Sequence, residues 1–317
     1  MTTLGYFVSG NGGLEIKIQQ NYPTKEYASF SDILKKFIQD NQLENTKRFG
    51  MAVPGPVLNG KSHPERLGWN LDMEEYTRDF GFEKVDMLND QEASAYGMGL
   101  LEDSDLDPIY TSGHLEKGNV AILAPGNGLG EAGYFFDGKY LRPFASEGGH
   151  SEFSPRTTVE VEFYQFLNNL YGIVSWENVL SKTGLFNIYR FLRDVKRHPE
   201  PEWLAEKLTN GNFVQELYKA AVEEDVLICK ITLDTFLEFL AREANNLTLK
   251  LKATGGLLIS GDIPQEIRAY INKDKFYEKY KISDKMEEML KNIPIYLIKQ
   301  EQTALNGIAL YTAYYQD

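Results

Sequence analysis

Hydrophobic and polar positions change period along the chain, and the changes predict its elements. Leu4 to Val8 and Leu14 to Gln19 read as two strands around Gly10-Asn11-Gly12-Gly13, a glycine-rich hairpin turn. From Ser31 the period lengthens, with Ile33, Leu34, Phe37 and Ile38 on one helical face. Arg48 to Val53 is an apolar strand stopped by Pro54-Gly55-Pro56, and a polar loop from Asn59 to Asp72 carries Trp69. A strand from Val85 ends at Asn89-Asp90, where a helical pattern takes over to about Leu101. Residues 102–117 are acidic, rich in turn formers and without a hydrophobic period, which predicts a linker or hinge.

The second part repeats the theme. Asn119 to Ala124 is a buried strand ending in Pro125-Gly126-Asn127-Gly128-Leu129-Gly130. Tyr134 to Phe136 and Lys139 to Leu141 predict a hairpin turned by Asp137-Gly138, and Ser146 to Phe153 is dense in polar groups and glycine. Thr157 to Lys252 is mostly helical in pattern, with Val159, Phe163, Phe166 and Leu167, then Leu185, Ile188, Tyr189 and Leu192, at helical spacing. A long helix from Asp225 to Lys252 turns Leu233, Phe236, Leu237 and Leu240 inward. Gly255-Gly256 ends it, Leu257 to Ile259 leads as a strand to Ser260-Gly261-Asp262, Ile295 to Ile298 is the last strand, and Leu305 to Tyr315 is a closing helix.

Composition narrows the function classes. The 317 residues suffice for two domains, and 42% hydrophobic with 25% charged residues is ordinary for a soluble globular chain. A net charge of -13 repels phosphate backbones and argues against nucleic-acid binding. The single cysteine, Cys229, rules out an internal disulfide and a Cys-rich metal site, which fits a reducing cytoplasm. The amino terminus does not read as a signal peptide, and no apolar run reaches membrane-spanning length, in keeping with a mean hydropathy of -0.38.

Several predicted strands end in turns rich in Gly, Asn or Asp: Pro54-Gly55, Asn89-Asp90, Pro125 to Gly130 and Gly261-Asp262. Glycine lets backbone N–H groups approach an anion, so repeated turns of this kind suggest a phosphorylated ligand. Asp90 can be a base at a strand's carboxyl edge, or only the cap of the helix that follows. Pro125 to Gly130 lacks the Gly-Lys-Ser/Thr of a P-loop and reads as a phosphate-binding hairpin or a plain tight one. Glu147 and His150 can both hydrogen-bond hydroxyls. No His or Cys stands near enough for zinc, and a glycosidase pair of Glu147 and Glu152 finds no further support. Glu177 reads most simply as a surface acid at a helix start.

The order and spacing of four blocks add more. They are Leu88-Asn89-Asp90 with Glu92-Ala93 and Ala95-Tyr96-Gly97; Pro125-Gly126 with Gly128-Leu129-Gly130-Glu131-Ala132; Ser146-Glu147-Gly148-Gly149-His150; and Val174-Ser175 with Glu177, Val179-Leu180-Ser181 and Gly184-Leu185. From about Thr2 to its end the chain resembles the bacterial glucokinases of the hexokinase and actin-like ATPase superfamily. The resemblance implies an α/β, ribonuclease H-like fold in two domains with a cleft between them. The small one would comprise 1–100 plus 302–317, and the large one 101–301. It implies ATP-dependent phosphorylation of the glucose 6-hydroxyl in the cytoplasm, with Mg2+ as cofactor, and often a homodimer. Asn89, Asp90, Glu147, His150 and Glu177 fall on the family's sugar ligands, Asp90 on the base. Gly126, Asn127, Gly128, Gly130, Gly255, Gly256 and Gly261 fall to the nucleotide.

The chain departs from the family pattern at named places. The family's opening Asp-x-Gly-Gly-Thr phosphate turn is absent, and Met1 to Phe7 aligns just after it, so an upstream segment is expected. Asn127 replaces a Thr, Glu65-Arg66 replaces Thr-Asn, and Lys182-Thr183 interrupts the motif after Glu177. Ser260-Gly261-Asp262 stands where the family has a run of glycines near the adenosine, and Asp262, if it points inward, opposes a polyanion. The alternative to an active kinase is a sugar-binding or regulatory protein with impaired phosphoryl transfer.

Overall fold

A computed structural model of the chain describes residues 1–10, 13–64, 67–98, 101, 103–113, 116–139, 141–299 and 303–314. Strands β1 (Thr2–Gly10) and β2 (Gly13–Tyr22) pair antiparallel along their whole length, well beyond the predicted cores of Leu4–Val8 and Leu14–Gln19. Asn11 and Gly12 of the predicted turn lie outside the described residues. Helix α1 (Phe30–Asn41) starts one residue before its predicted Ser31. Ser29 and Asp32 form a reciprocal capping box there, the Asp32 N–H donating to Ser29 Oγ and the Ser29 N–H to Asp32 Oδ2.

Strand β3 (Arg48–Val53) and a later parallel partner bracket the loop that carries Trp69. That loop is more ordered than its polar composition suggests. Short strands β4 (Lys61–Ser62) and β5 (Leu71–Asp72) pair within it, and Trp69 is buried against Phe30. Glu65 and Arg66 lie outside the described residues. An unforeseen helix, α2 (Met73–Phe80), follows, capped by Asp72 and closed by Gly81 in the left-handed region. It leads into β6 (Lys84–Asn89), the partner of β3, and then α3 (Asp90–Met98).

Contacts divide the chain into two compact units, Met1–Glu102 with Gln302–Asp317, and Asp103–Glu301. The carboxyl-terminal helix, Thr303–Tyr314, returns to the first unit and packs on α3. A side chain at Gly307 would run into the Ala93 carbonyl of α3, so only glycine permits this approach. Arg48 donates to the last carbonyls of that helix, Thr312 O at 3.2 Å and Ala313 O at 2.8 Å, where a cation meets the negative helix end. The predicted last residue, Tyr315, lies outside the described residues.

In the second unit, the linker reading of residues 102–117 is corrected. Leu106–Tyr110 is a strand, β7. Then come β8 (Val120–Pro125), β9 (Leu129–Phe136) and β10 (Leu141–Ser146). The first arm of the predicted hairpin is longer than read, since β9 begins directly after the glycine turn, and the second is displaced: β10 starts at Leu141, the last residue of the predicted Lys139–Leu141, and runs to Ser146. Helices α4 (Thr158–Tyr171), α5 (Lys182–Arg190), α6 (Glu202–Asn210), α7 (Phe213–Val222) and α8 (Leu227–Leu251) follow. Strands β11 (Gly256–Ile259) and β12 (Ile295–Ile298) complete a sheet of order β10-β9-β8-β11-β12-β7 among the described residues. β8, β11 and β12 run parallel, β9 and β7 flank them antiparallel, and β10 pairs antiparallel with β9. Helix α8 is apolar on much of its surface and buries Leu233, Phe236, Phe239 and Leu240 in the core, which marks a central helix rather than an amphipathic one.

Candidate active site

In the first unit the site rests on the junction of β6 and α3. Asn89 is the last strand residue, and its Oδ1 accepts the Glu92 N–H at 3.4 Å, while its Nδ2 donates to Gly55 O at 3.0 Å. Asn89 therefore caps the helix and pins the Pro54-Gly55-Pro56 turn to it. The capping reading of Asp90 is corrected on this point. Asp90 is the first helical residue, half-buried, with its acid in the first turn where the helix favours negative charge.

In the second unit, the Pro125–Gly130 turn is a hairpin. Pro125 pairs with Leu129 across it, and Gly126 N–H donates to Gly128 O at 2.8 Å. Neither glycine has a positive φ, so conformational freedom is not what the turn needs there. It needs space at Gly128, where a Cβ would meet Glu177 Oε2. That same oxygen accepts the Leu129 N–H at 3.1 Å. Asn127 is exposed at the tip, and Gly130 follows half-buried in β9.

Leu129 also seats the Glu147-Gly148-Gly149-His150 segment. A Cβ at Gly149 would run into the Leu129 carbonyl, so the segment lies directly on the start of β9. Gly148–His150 forms a single 3-10 turn, with the His150 N–H donating to Glu147 O, and leaves the Glu147 and His150 side chains exposed. Trp176 N–H donates to Ser151 O and Phe153 N–H to Val174 O, both at 2.9 Å, which stitches this segment to the one bearing Glu177. Ser175 and Asn178 box the short 3-10 turn in which Glu177 stands. Leu129 thus contacts both the segment that carries Glu147 and His150 and the side chain of Glu177.

The residues after Glu177 brace the hairpin from below. Ser181 caps α5 by accepting the Gly184 N–H at 3.0 Å, and the Lys182 N–H donates to Gly126 O at 2.8 Å. Lys182 Nζ also lies 3.1 Å from Asp262 Oδ2, joining the two departures from the family pattern in one ion pair. Gly261, at φ 92°, packs on the Pro125 carbonyl, where any side chain would collide. Gly255 and Gly256 do not belong here. Gly256 pairs with Val120 at the opening of β8, the end of the sheet opposite the hairpin. Gly255 packs on the Gly118 carbonyl, and Gly256 has φ 136°, so they serve the turn from α8 into β11. Lys182 was not assigned a role from the sequence. Its signal was a cation at the helix start after Glu177, and its partner lies 80 residues away.

The family model for glucokinase matches residues 1–315. The chain belongs to the glucokinase family. A glucokinase of Nostoc punctiforme is 30% identical over 318 residues, covering 96% of this chain and 93% of the relative. The crystal structure of a glucokinase from an Antarctic psychrotroph superposes with a TM-score of 0.82 at 23% identity, over 98% of this chain and 96% of the other. A ROK-family glucokinase from Streptomyces griseus, solved with glucose and AMPPNP, gives a TM-score of 0.59 at 14% identity, over 97% and 95%. The fold is accordingly the actin-like ATPase fold of the glucokinase family, and the chain is of the sugar kinase class. Among the described residues no helix is long and apolar enough to cross a membrane.

Proposed function

We propose that the protein is an ATP-dependent glucokinase that converts glucose to glucose 6-phosphate for glycolysis in the cytoplasm. The observation that carries this reading is the arrangement around Leu129, where the acids Glu147 and Glu177, His150 and a glycine hairpin share one support. A hexose presents hydroxyls that donate and accept at once, and carboxylates and an imidazole match them. In the transfer, the 6-hydroxyl oxygen attacks the γ-phosphorus and the bond to ADP breaks. The hydroxyl proton passes to the Asp90 carboxylate. Gly126, Gly128 and Gly130 hold phosphate oxygens, with Asn127 as a side-chain donor, and Gly261 lies at the nucleotide.

Magnesium would arrive on the triphosphate, because it keeps substrate phosphates and waters as ligands and takes only one or two carboxylates from a protein. The described residues fit that demand. They gather no group of three or more His, Cys, Asp or Glu, and no side chain of the protein is assigned to the ion. Its chemistry is to neutralise charge on the phosphates. The functional unit in this reading is a homodimer, which light scattering would size.

A coupled assay of glucose-dependent ADP release tests the proposal, with calorimetry for each ligand separately. Glucose binding without ATP binding or turnover would replace it by the sugar-binding alternative. Lys182 provides a sharper check on the nucleotide side. Its pairing with Asp262 removes the objection that a bare acid faces the polyanion, and its backbone holds Gly126. Lys182→Met is expected to raise the KM for ATP about tenfold, more at low salt than at high salt, and to leave the KM for glucose unchanged.

A further inference from the structure

Behind the Glu147–His150 segment lies a buried acid with no part in the chemistry above. Glu131 on β9 is 1% exposed, and Glu243 on α8 is fully buried. Their carboxyls lie within hydrogen-bonding reach of each other, and two carboxyl groups bond only when one of them carries a proton. The partners say which one does. Glu243 accepts from Asn246 Nδ2 at 2.8 Å and from Lys250 Nζ at 3.1 Å, so it is the ionised member. Glu131 Oε1 is buried without a partner, where a charge would be left unsolvated, so the proton of the pair is placed on Glu131. Burial and the Glu243 charge raise the Glu131 carboxyl to about 8, against the opposing pull of Lys250. Glu243 and Lys250, both from α8, are the charged groups that act on it.

This acid touches the sugar segment. A Cβ at Gly148 would run into Glu131 Oε2, so the backbone between Glu147 and His150 rests on the Glu131 carboxyl. Ser146 ties the same place, its Oγ donating to Glu131 O at 3.0 Å and accepting the Gly148 N–H at 3.2 Å. We propose that Glu131 is a positioning residue that sets the height of the Glu147–His150 segment for sugar binding. Loss of its proton puts a second negative charge directly behind Gly148, with no donor to receive it. The segment then gives way, since the core behind it cannot.

The inference rests on the assignment of Glu147 and His150 to the sugar, and the test separates the two. Glucose affinity is measured against pH by calorimetry for the wild type, Glu131→Gln and Glu131→Ala. Glutamine reproduces the protonated acid, because its amide donates to Glu243 at every pH. The wild type is expected to lose glucose affinity as pH rises through about 8, by up to about tenfold at about pH 9, with ATP affinity unaffected. Glu131→Gln is expected to bind near wild-type strength at neutral pH and to show no alkaline loss. Glu131→Ala is expected to bind weakly throughout. A wild type that binds glucose equally at all these pH values, or a glutamine variant with the same alkaline loss, overturns the positioning role alone. A wild type with no glucose binding at any pH overturns the sugar assignment and this inference with it. Thermal unfolding supplies a readout free of sugar. A carboxyl raised on folding contributes stability that is full below its ordinary value of 4.5 and is lost as pH rises through about 8. The melting temperature of the wild type should therefore fall across that window more steeply than that of Glu131→Gln, and parallel curves would count against the shared proton.

Discussion

Asp90→Asn is expected to lower kcat by about 10²- to 10⁴-fold while glucose still binds, because the amide keeps a hydrogen-bonding oxygen but cannot take the hydroxyl proton. The junction of β6 and α3 makes this variant informative. Asn89, not Asp90, accepts the Glu92 N–H, so the cap survives the change. The charge lost from the first helical turn should cost only about 0.3–1 kcal/mol of stability. Asn89→Ala makes the opposite test. It removes the cap, worth about 1 kcal/mol, and the tether to Gly55 O, and should loosen the Pro54-Gly55-Pro56 turn. The two variants therefore part base from cap. Asp90→Asn should be stable and inactive, whereas Asn89→Ala should be less stable and weaker for glucose. An Asp90→Asn enzyme with kcat within about threefold of wild type would end the base assignment.

Much of this arrangement was legible in the sequence where burial imposes a period. The apolar run at Val120 to Leu123, the helical spacing through Leu233, Phe236 and Leu240, and the face of Ile33, Leu34 and Phe37 on α1 all report local physics. Strand β7 was not legible because it lies at the edge of the sheet and contains Pro108, which an edge strand tolerates and a central one does not. Helix α2 spans only eight residues, so its stripe of Met73, Tyr76 and Phe80 is too short to stand out as a period, although Asp72 and Gly81 bound it as cap signals. Adjacent Asn and Asp are equally good caps, so the division of labour at residues 89 and 90 waited for the geometry. The glycines divide by strand end. Gly261 and Gly255 look alike in sequence, yet one follows β11 beside Pro125 and the other precedes it beside Gly118. Long-range partners such as Lys182 with Asp262, or Glu131 with Glu243, follow from topology and have no local signature.

Arg242 carries the largest expected effect on stability. It lies on α8 at 4% exposure, with an ion pair to Glu160 and a hydrogen bond of 2.6 Å from Nη2 to Ser154 O. Its guanidinium also stacks near Phe153, Trp176 and Phe239, with distances of 5.5–5.9 Å to the three ring centres. Glu160 is fixed in turn, since its Oε2 accepts the Arg156 N–H at 2.7 Å. Arg242→Met fills the space but leaves Glu160 and the Ser154 carbonyl without their cation. Removing one partner of a buried pair costs about 3–5 kcal/mol, so unfolding should move to markedly lower denaturant. The cost should be smaller for Glu160→Gln, which keeps an acceptor for both donors. The effect should also reach the site, because Phe153 and Trp176 lie in the two segments that carry His150 and Glu177 and are joined by their backbones. An Arg242→Met enzyme should therefore lose glucose affinity at temperatures where it is still folded. If it unfolds early yet binds glucose normally below its transition, the guanidinium is a core brace only, and the alignment of His150 with Glu177 rests on the backbone bonds between their segments.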